Sequence, residues 1–166
     1  IARKIRRQYL FEDGLRQFGS INKDDWRFPF YIIFINEAGQ EEPGQDAGGL
    51  FKEYWEKLTK LAFSEDYGLF QSTNERLLYP NPQSQLYHGL SHVKLFEFLG
   101  SVLGKAILEG IVVNPQFGLF FLSKLLGRTP SYYDMIGFDS ELFNNLDMVK
   151  TYTGDVEDLG LNFCVD

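Results

Sequence analysis

Asp46 stands among glycines in Gly44-Gln45-Asp46-Ala47-Gly48-Gly49, directly ahead of the amphipathic run Leu50-Phe51-Lys52-Glu53-Tyr54-Trp55. Glycine-rich loops that open helices bind anions, because backbone N–H groups and the helix dipole point at the ligand. Here a carboxylate takes the place a phosphate would occupy, and no Lys-Ser/Thr pair follows. The loop therefore reads as a turn and helix cap. Asp46 can accept backbone N–H bonds at the helix start, while Gly48 and Gly49 allow positive φ or close backbone approach.

The other chemistry-bearing residues are weaker candidates. Cys164 is the one cysteine, so a disulfide within the chain is impossible. A catalytic thiol needs a base, a helix N-terminus or a cation to lower its pKa. Cys164 instead sits among apolar residues with Asp155, Glu157, Asp158 and Asp166 nearby, and reads as an unreactive strand cysteine rather than a catalytic one. His88 and His92 have the spacing of two metal ligands on one helix face. Gly89 lies between them without the glutamate of an HExxH motif, so Ser91-His92 reads as a helix entrance. The pairs Glu41/Glu42, Glu65/Asp66 and Glu157/Asp158 lack a sequence-adjacent His or Arg to drive their pKa values apart. Gly100 and Gly104 form a GxxxG, which predicts a neighbouring helix or strand packed against them. No self-contained active site emerges, and neither metal nor organic cofactor is expected.

The elements that would hold these residues follow from periodicity. Residues 2–18 predict a helix, with Ile5, Tyr9, Phe11, Leu15 and Phe18 on one side, and with Arg3, Lys4, Arg6 and Arg7 as its solvated face. Phe30–Ile35 predicts a strand buried on both faces. Helices are expected over Leu50–Phe63, Val93–Glu109, Phe117–Leu126 and residues 140–152, the last with Ser140 as N-cap. The pieces Gly68–Ser72 and Arg76–Tyr79 suit a hairpin. The apolar residues of Val93–Glu109 cover more than one face, which predicts a buried spine; Leu159–Val165 predicts a further strand.

The chain has 166 residues, 44% hydrophobic and 16% aromatic, enough for a core of one domain of the α+β class, mainly helical with a few short strands. A net charge of −7 repels phosphate, so nucleic acid is not an expected partner. Charged and polar residues interrupt the most apolar stretch, Ala106–Leu126, so no membrane association is expected. With one cysteine and no apolar leader at the start, a soluble protein of the cytoplasm and/or nucleus is expected.

An ordered series of segments resembles the HECT-type E3 ubiquitin ligases. It runs from Phe11-Glu12-Asp13-Gly14 through Gly44–Trp55, with Lys52 where the family more often has Arg, to Leu78-Tyr79-Pro80-Asn81-Pro82. It continues through Phe96-Glu97-Phe98-Leu99-Gly100, Leu103-Gly104-Lys105-Ala106 and Phe121–Gly127, and closes on Gly154–Phe163. The pattern is most similar to the branch outside the WW-domain group. The resemblance implies that residues 1–166 are a partial HECT domain: most of the large subdomain of the N-lobe, without the E2-docking subdomain and the C-lobe cysteine. It implies a parent enzyme that takes ubiquitin from a loaded E2 as a thioester and passes it to lysines of substrate proteins. It also implies a possible non-covalent ubiquitin exosite at Arg76, Leu77 and Leu78, although Arg76 replaces the aromatic of the WW group. A stand-alone, non-enzymatic interaction domain is the alternative.

Overall fold

The computed structural model describes residues 2–44 and 47–162, so Asp46 and Cys164 lie outside the described residues. The chain forms two compact units, one of residues 2–72 and 78–116, the other of residues 73–77 and 117–162. The first combines helices with a few short strands and the second is helical among its described residues, which makes the chain the α+β class expected.

The first unit opens with β1 (Ala2–Arg6), α1 (Leu10–Phe18), a 3-10 turn (Lys23–Arg27) and β2 (Tyr31–Ile35). The strands pair in parallel, with Ile5 opposite Phe34. This corrects the single helix expected over 2–18. Residues 2–6 offer one large apolar side chain, Ile5, which as a strand residue is fully buried. The Arg6 N–H is taken by the Asp13 carboxylate at 2.9 Å instead of by a helix carbonyl. Pairing with β2 outweighs the local pattern. β2 is also not buried on both faces: Ile32 and Phe34 are buried while Tyr31 is exposed, so one face alone is fully covered.

α2 (Gly49–Ala62) carries the core. Phe51, Tyr54, Trp55, Leu58 and Ala62 recur at three- and four-residue spacing, and all are buried. Trp55 packs its ring on Phe51 at 4.5 Å between centroids, and its indole N–H donates to the Val102 carbonyl at 3.0 Å. The Tyr54 hydroxyl donates to the Leu10 carbonyl at 3.1 Å. That approach of α2 to α1 requires Gly14, because a Cβ there would collide with the Tyr54 hydroxyl.

β3 (Phe70–Ser72) and β4 (Leu78–Pro80) pair antiparallel, with Gln71 opposite Tyr79. α3 (Ser84–His88) and a 3-10 turn lead to α4 (His92–Leu108). Gly110 ends α4 at φ 65°, and the Ile111 N–H closes back on the Ala106 carbonyl at 2.8 Å. Leu95, Phe98, Leu99, Val102 and Ala106 are buried, but Val93 and Ile107 are 55% and 81% exposed. α4 therefore lies on the core with one face rather than running through it as a spine. The expected neighbour of Gly100 and Gly104 is also missing among the described residues: none of their atoms lies within 4 Å of where a Cβ would stand on either.

The second unit holds α5 (Leu119–Leu125), a 3-10 turn (Tyr132–Gly137), α6 (Ser140–Thr151) and a 3-10 turn (Val156–Leu159). The N-cap of α6 is Asp139, one residue before the expected Ser140, and its carboxylate accepts the Leu142 N–H at 2.9 Å. A carboxylate is favoured there by the positive end of the helix dipole. The expected strand over Leu159–Val165 does not form among the described residues. Leu159 ends a 3-10 turn, Leu161 and Asn162 are irregular, and residues 163–166 lie outside the described residues.

Candidate functional site

The turn joining β3 to β4 is organised by Thr73. Its N–H donates to the Leu77 carbonyl at 2.9 Å, and its carbonyl accepts the Arg76 N–H at 2.8 Å. Its hydroxyl accepts the N–H groups of Glu75 and Leu77 at 3.3 and 3.2 Å. Satisfying so many backbone groups from one residue forces the chain into a left-handed step, and Arg76 takes it at φ 63°. Arg76 is the one non-glycine residue with positive φ among the described residues, and its side chain is exposed. A side chain in that region costs about 1–2 kcal/mol. Leu77 and Leu78 are half-buried, and the Leu78 N–H donates to the Gln116 carbonyl at 2.7 Å.

Arg7 links residues on either side of the glycine loop. Gly48, the residue ahead of α2, has φ 100°, where only glycine is unstrained, whereas Gly49 is helical. Arg7 donates to both oxygens of Glu42 at 2.5 and 2.6 Å and to Glu53 at 2.7 Å, with its guanidinium 3.9 Å from the Phe34 ring centre. Lys57 adds a second donor to Glu53 at 2.7 Å. Hydrogen bonds from Arg7 hold Glu42 and Glu53 below the usual carboxylate range. One side chain therefore ties Glu42, ahead of the loop, to Glu53 in the second turn of the helix after it. Periodicity alone assigns Arg7 to a solvated face. The signal that could have found it is the pair of acids bracketing the loop.

The histidines diverge to separate tasks. His88 Nε2 donates to the Tyr67 carbonyl at 2.7 Å, while His92 Nδ1 lies 2.9 Å from the Ser84 hydroxyl. A serine–histidine pair suggests a nucleophile and base. Ser84 is, however, 2% exposed, and no carboxylate bonds to His92 among the described residues. The pair pins the start of α3 to the start of α4. Among the described residues, no group of three or more His, Cys, Asp or Glu is arranged to hold a metal ion. No helix there is long and apolar enough to cross a membrane.

Comparison with known proteins supplies what local geometry does not. The family model described as HECT-domain (ubiquitin-transferase) matches residues 56–166. The chain is 44% identical over 162 residues to the E3 ubiquitin-protein ligase UPL6 of Arabidopsis thaliana, covering 98% of this chain and 16% of that protein. It is 39% identical over 168 residues to the ubiquitin-protein ligase E3B of Homo sapiens, with the same coverage of 98% and 16%. Against the E3 ubiquitin-protein ligase HUL5 of Saccharomyces cerevisiae the identity is 33% over 168 residues, 98% of this chain and 18% of that protein. The chain thus spans about one sixth of the length of these relatives. With the matched region running from the middle of α2 through the second unit, the chain belongs to the HECT-domain family of ubiquitin transferases.

Proposed function

We propose that this chain is the scaffold portion, from the large N-lobe subdomain, of the catalytic domain of a HECT E3 ubiquitin ligase. The parent enzyme accepts ubiquitin from a loaded E2 as a cysteine thioester and transfers it to lysines of substrate proteins in the cytoplasm and/or nucleus, with no cofactor. The observation that carries this reading is the match over 98% of the chain to proteins named as E3 ubiquitin-protein ligases. The structure supports a positioning rather than a reacting role for what is described. Among the described residues, Ser84 of the serine–histidine pair is buried and no carboxylate bonds to His92, and the polar constellation around Arg7 links residues on either side of the glycine loop.

The hairpin turn adds a second element to the reading: Arg76, Leu77 and Leu78 form a non-covalent ubiquitin exosite. Strain held at an exposed side chain is a pointer to function, and Arg76 pays that strain at the tip of the hairpin. Two experiments test the reading. The parent protein, incubated with E1, loaded E2 and ubiquitin, is expected to form a thiol-sensitive ubiquitin adduct, and this chain alone is expected to form none. An adduct on this chain that vanishes in Cys164→Ser overturns the scaffold role, and a parent without adduct overturns the ligase reading. Titration with labelled ubiquitin is expected to shift the amides of residues 75–78, and Arg76→Glu to weaken binding. Unmoved amides remove the exosite and leave the ligase reading standing.

A further inference from the structure

We propose that the groove between α4 and the connection from α1 to β2 docks an acidic amphipathic helix of a partner protein. Two adjoining hollows of about 840 and 200 Å³ share Lys23, Trp26 and Ser101, and together they make one groove within the first unit. On α4 it follows Glu97, Gly100, Ser101, Gly104 and Leu108, residues three and four apart that form one stripe of the helix. At 1.5 Å per residue the span from Lys94 to Leu108 is about 20 Å, room for about four turns of a second helix.

The floor suits a helix rather than loose side chains. Gly100 and Gly104 are exposed, and a Cβ on either would meet nothing within 4 Å. Neither has positive φ, so backbone conformation does not call for glycine at these positions. Glycine inside a helix is costly relative to alanine, and the described residues supply no packing reason for that cost. The bare floor lets another backbone approach closely, while half-buried Leu15, Ile21 and Trp26 provide an apolar wall.

Charge selects the occupant. Three cations, Lys23, Arg27 and Lys94, line the groove against a single acid, Glu97, in a chain whose net charge is −7. Arg27 has only a long contact of 3.8 Å to Asp24, and Lys23 and Lys94 have no ion-pair partner among the described residues. The fourth lining cation, Lys105, turns inward and is paired with Glu109 at 2.5 Å. An acidic helix is therefore attracted here and repelled by most of the remaining surface. Its apolar stripe at three- and four-residue spacing would meet the Trp26 wall, the helix-in-groove mode of recognition.

The test uses the full-length parent protein and two labelled synthetic helical peptides of about four turns, identical in their leucine–alanine stripe, one flanked by glutamate and the other by lysine. Fluorescence anisotropy is expected to show the glutamate peptide binding at an affinity about tenfold or more above that of its lysine twin. Gly104→Leu, whose side chain has open space, is expected to keep the melting temperature and lose the binding, and the double variant Lys23→Glu with Lys94→Glu to reverse the charge preference. Absence of binding, equal binding of the twins, or binding that survives Gly104→Leu each overturns the proposal. So does protection of a Gly104→Cys thiol from alkylation in the full-length parent by itself, which would assign the groove to the parent's own chain. None of these outcomes bears on the ligase reading.

Discussion

Asp13 and Gly14, neighbours in α1, show how much one residue can decide. The Asp13 side chain is 1% exposed and accepts from the Arg6 backbone N–H, from the Arg6 guanidinium at 2.9 and 2.7 Å, and from Arg16 at 2.8 Å. Those bonds, led by that to the Arg6 side chain, hold its carboxyl below the usual carboxylate range. Because the folded pKa is the lower one, the stabilisation is present above the unfolded value of about 3.9 and is lost as pH falls through the folded value. Asp13→Asn is expected to cost about 2 kcal/mol at neutral pH, with the difference from the parent chain shrinking in melts below about pH 4. A pH-independent difference would show that shape, not charge, matters. At Gly14 an added Cβ meets the Tyr54 hydroxyl, which burial, with Asp13 nearby, pushes far above its usual pKa and keeps as a donor. Gly14→Ala is expected to cost about 1–3 kcal/mol. Adding Tyr54→Phe should restore part of it, a coupling that a double-mutant cycle reads directly.

At the scale of the element, α4 separates periodicity from burial. Its apolar residues wrap most of the helix, yet Leu99 is 1% exposed and Ile107 is 81% exposed. Leu99→Ala is expected to cost about 2–5 kcal/mol, while Ile107→Ser should change stability by about 0.5 kcal/mol or less. Equal losses in thermal melts would mean that both faces are covered in solution. The same asymmetry holds for the turn ahead of α2. Gly48 has φ 100° and Gly49 is helical, so Gly48→Ala should lower the melting temperature and Gly49→Ala should not.

For the whole molecule, the two units differ in how they bury apolar surface. The first has a core of Trp55, Tyr54, Phe11, Phe18 and Phe34, each 2% exposed or less. In the second, among described residues 117–162, only Gly118 is buried, and Leu119, Leu126, Tyr133 and Val156 are each more than 60% exposed. Exposed apolar surface of this extent favours association with other protein surface. The expected outcome is concentration-dependent association of this chain in light scattering, and a higher melting temperature when it is extended through the rest of the family domain. A monomer that gains nothing from extension would show that residues 1–166 suffice.

Sequence alone determined the elements whose signals are local. α2 and α4 were legible within a residue or so because caps, glycine stops and three- and four-residue spacing are short-range physics, and the ordered segments made the family legible across nearly the whole chain. The tertiary structure decided what depends on distant partners. Ala2–Arg6 is a strand because β2 lies beside it and Asp13 takes its amide. Arg7 is a clamp because Glu42 and Glu53 converge on it from 35 and 46 residues away. Gly100 and Gly104 face open space because, among the described residues, neither the helix nor the strand expected beside them packs there. Periodicity reports which side chains avoid water, not which neighbour covers them. Pairing and burial between segments far apart in sequence are set by the three-dimensional energy balance, which no local pattern encodes.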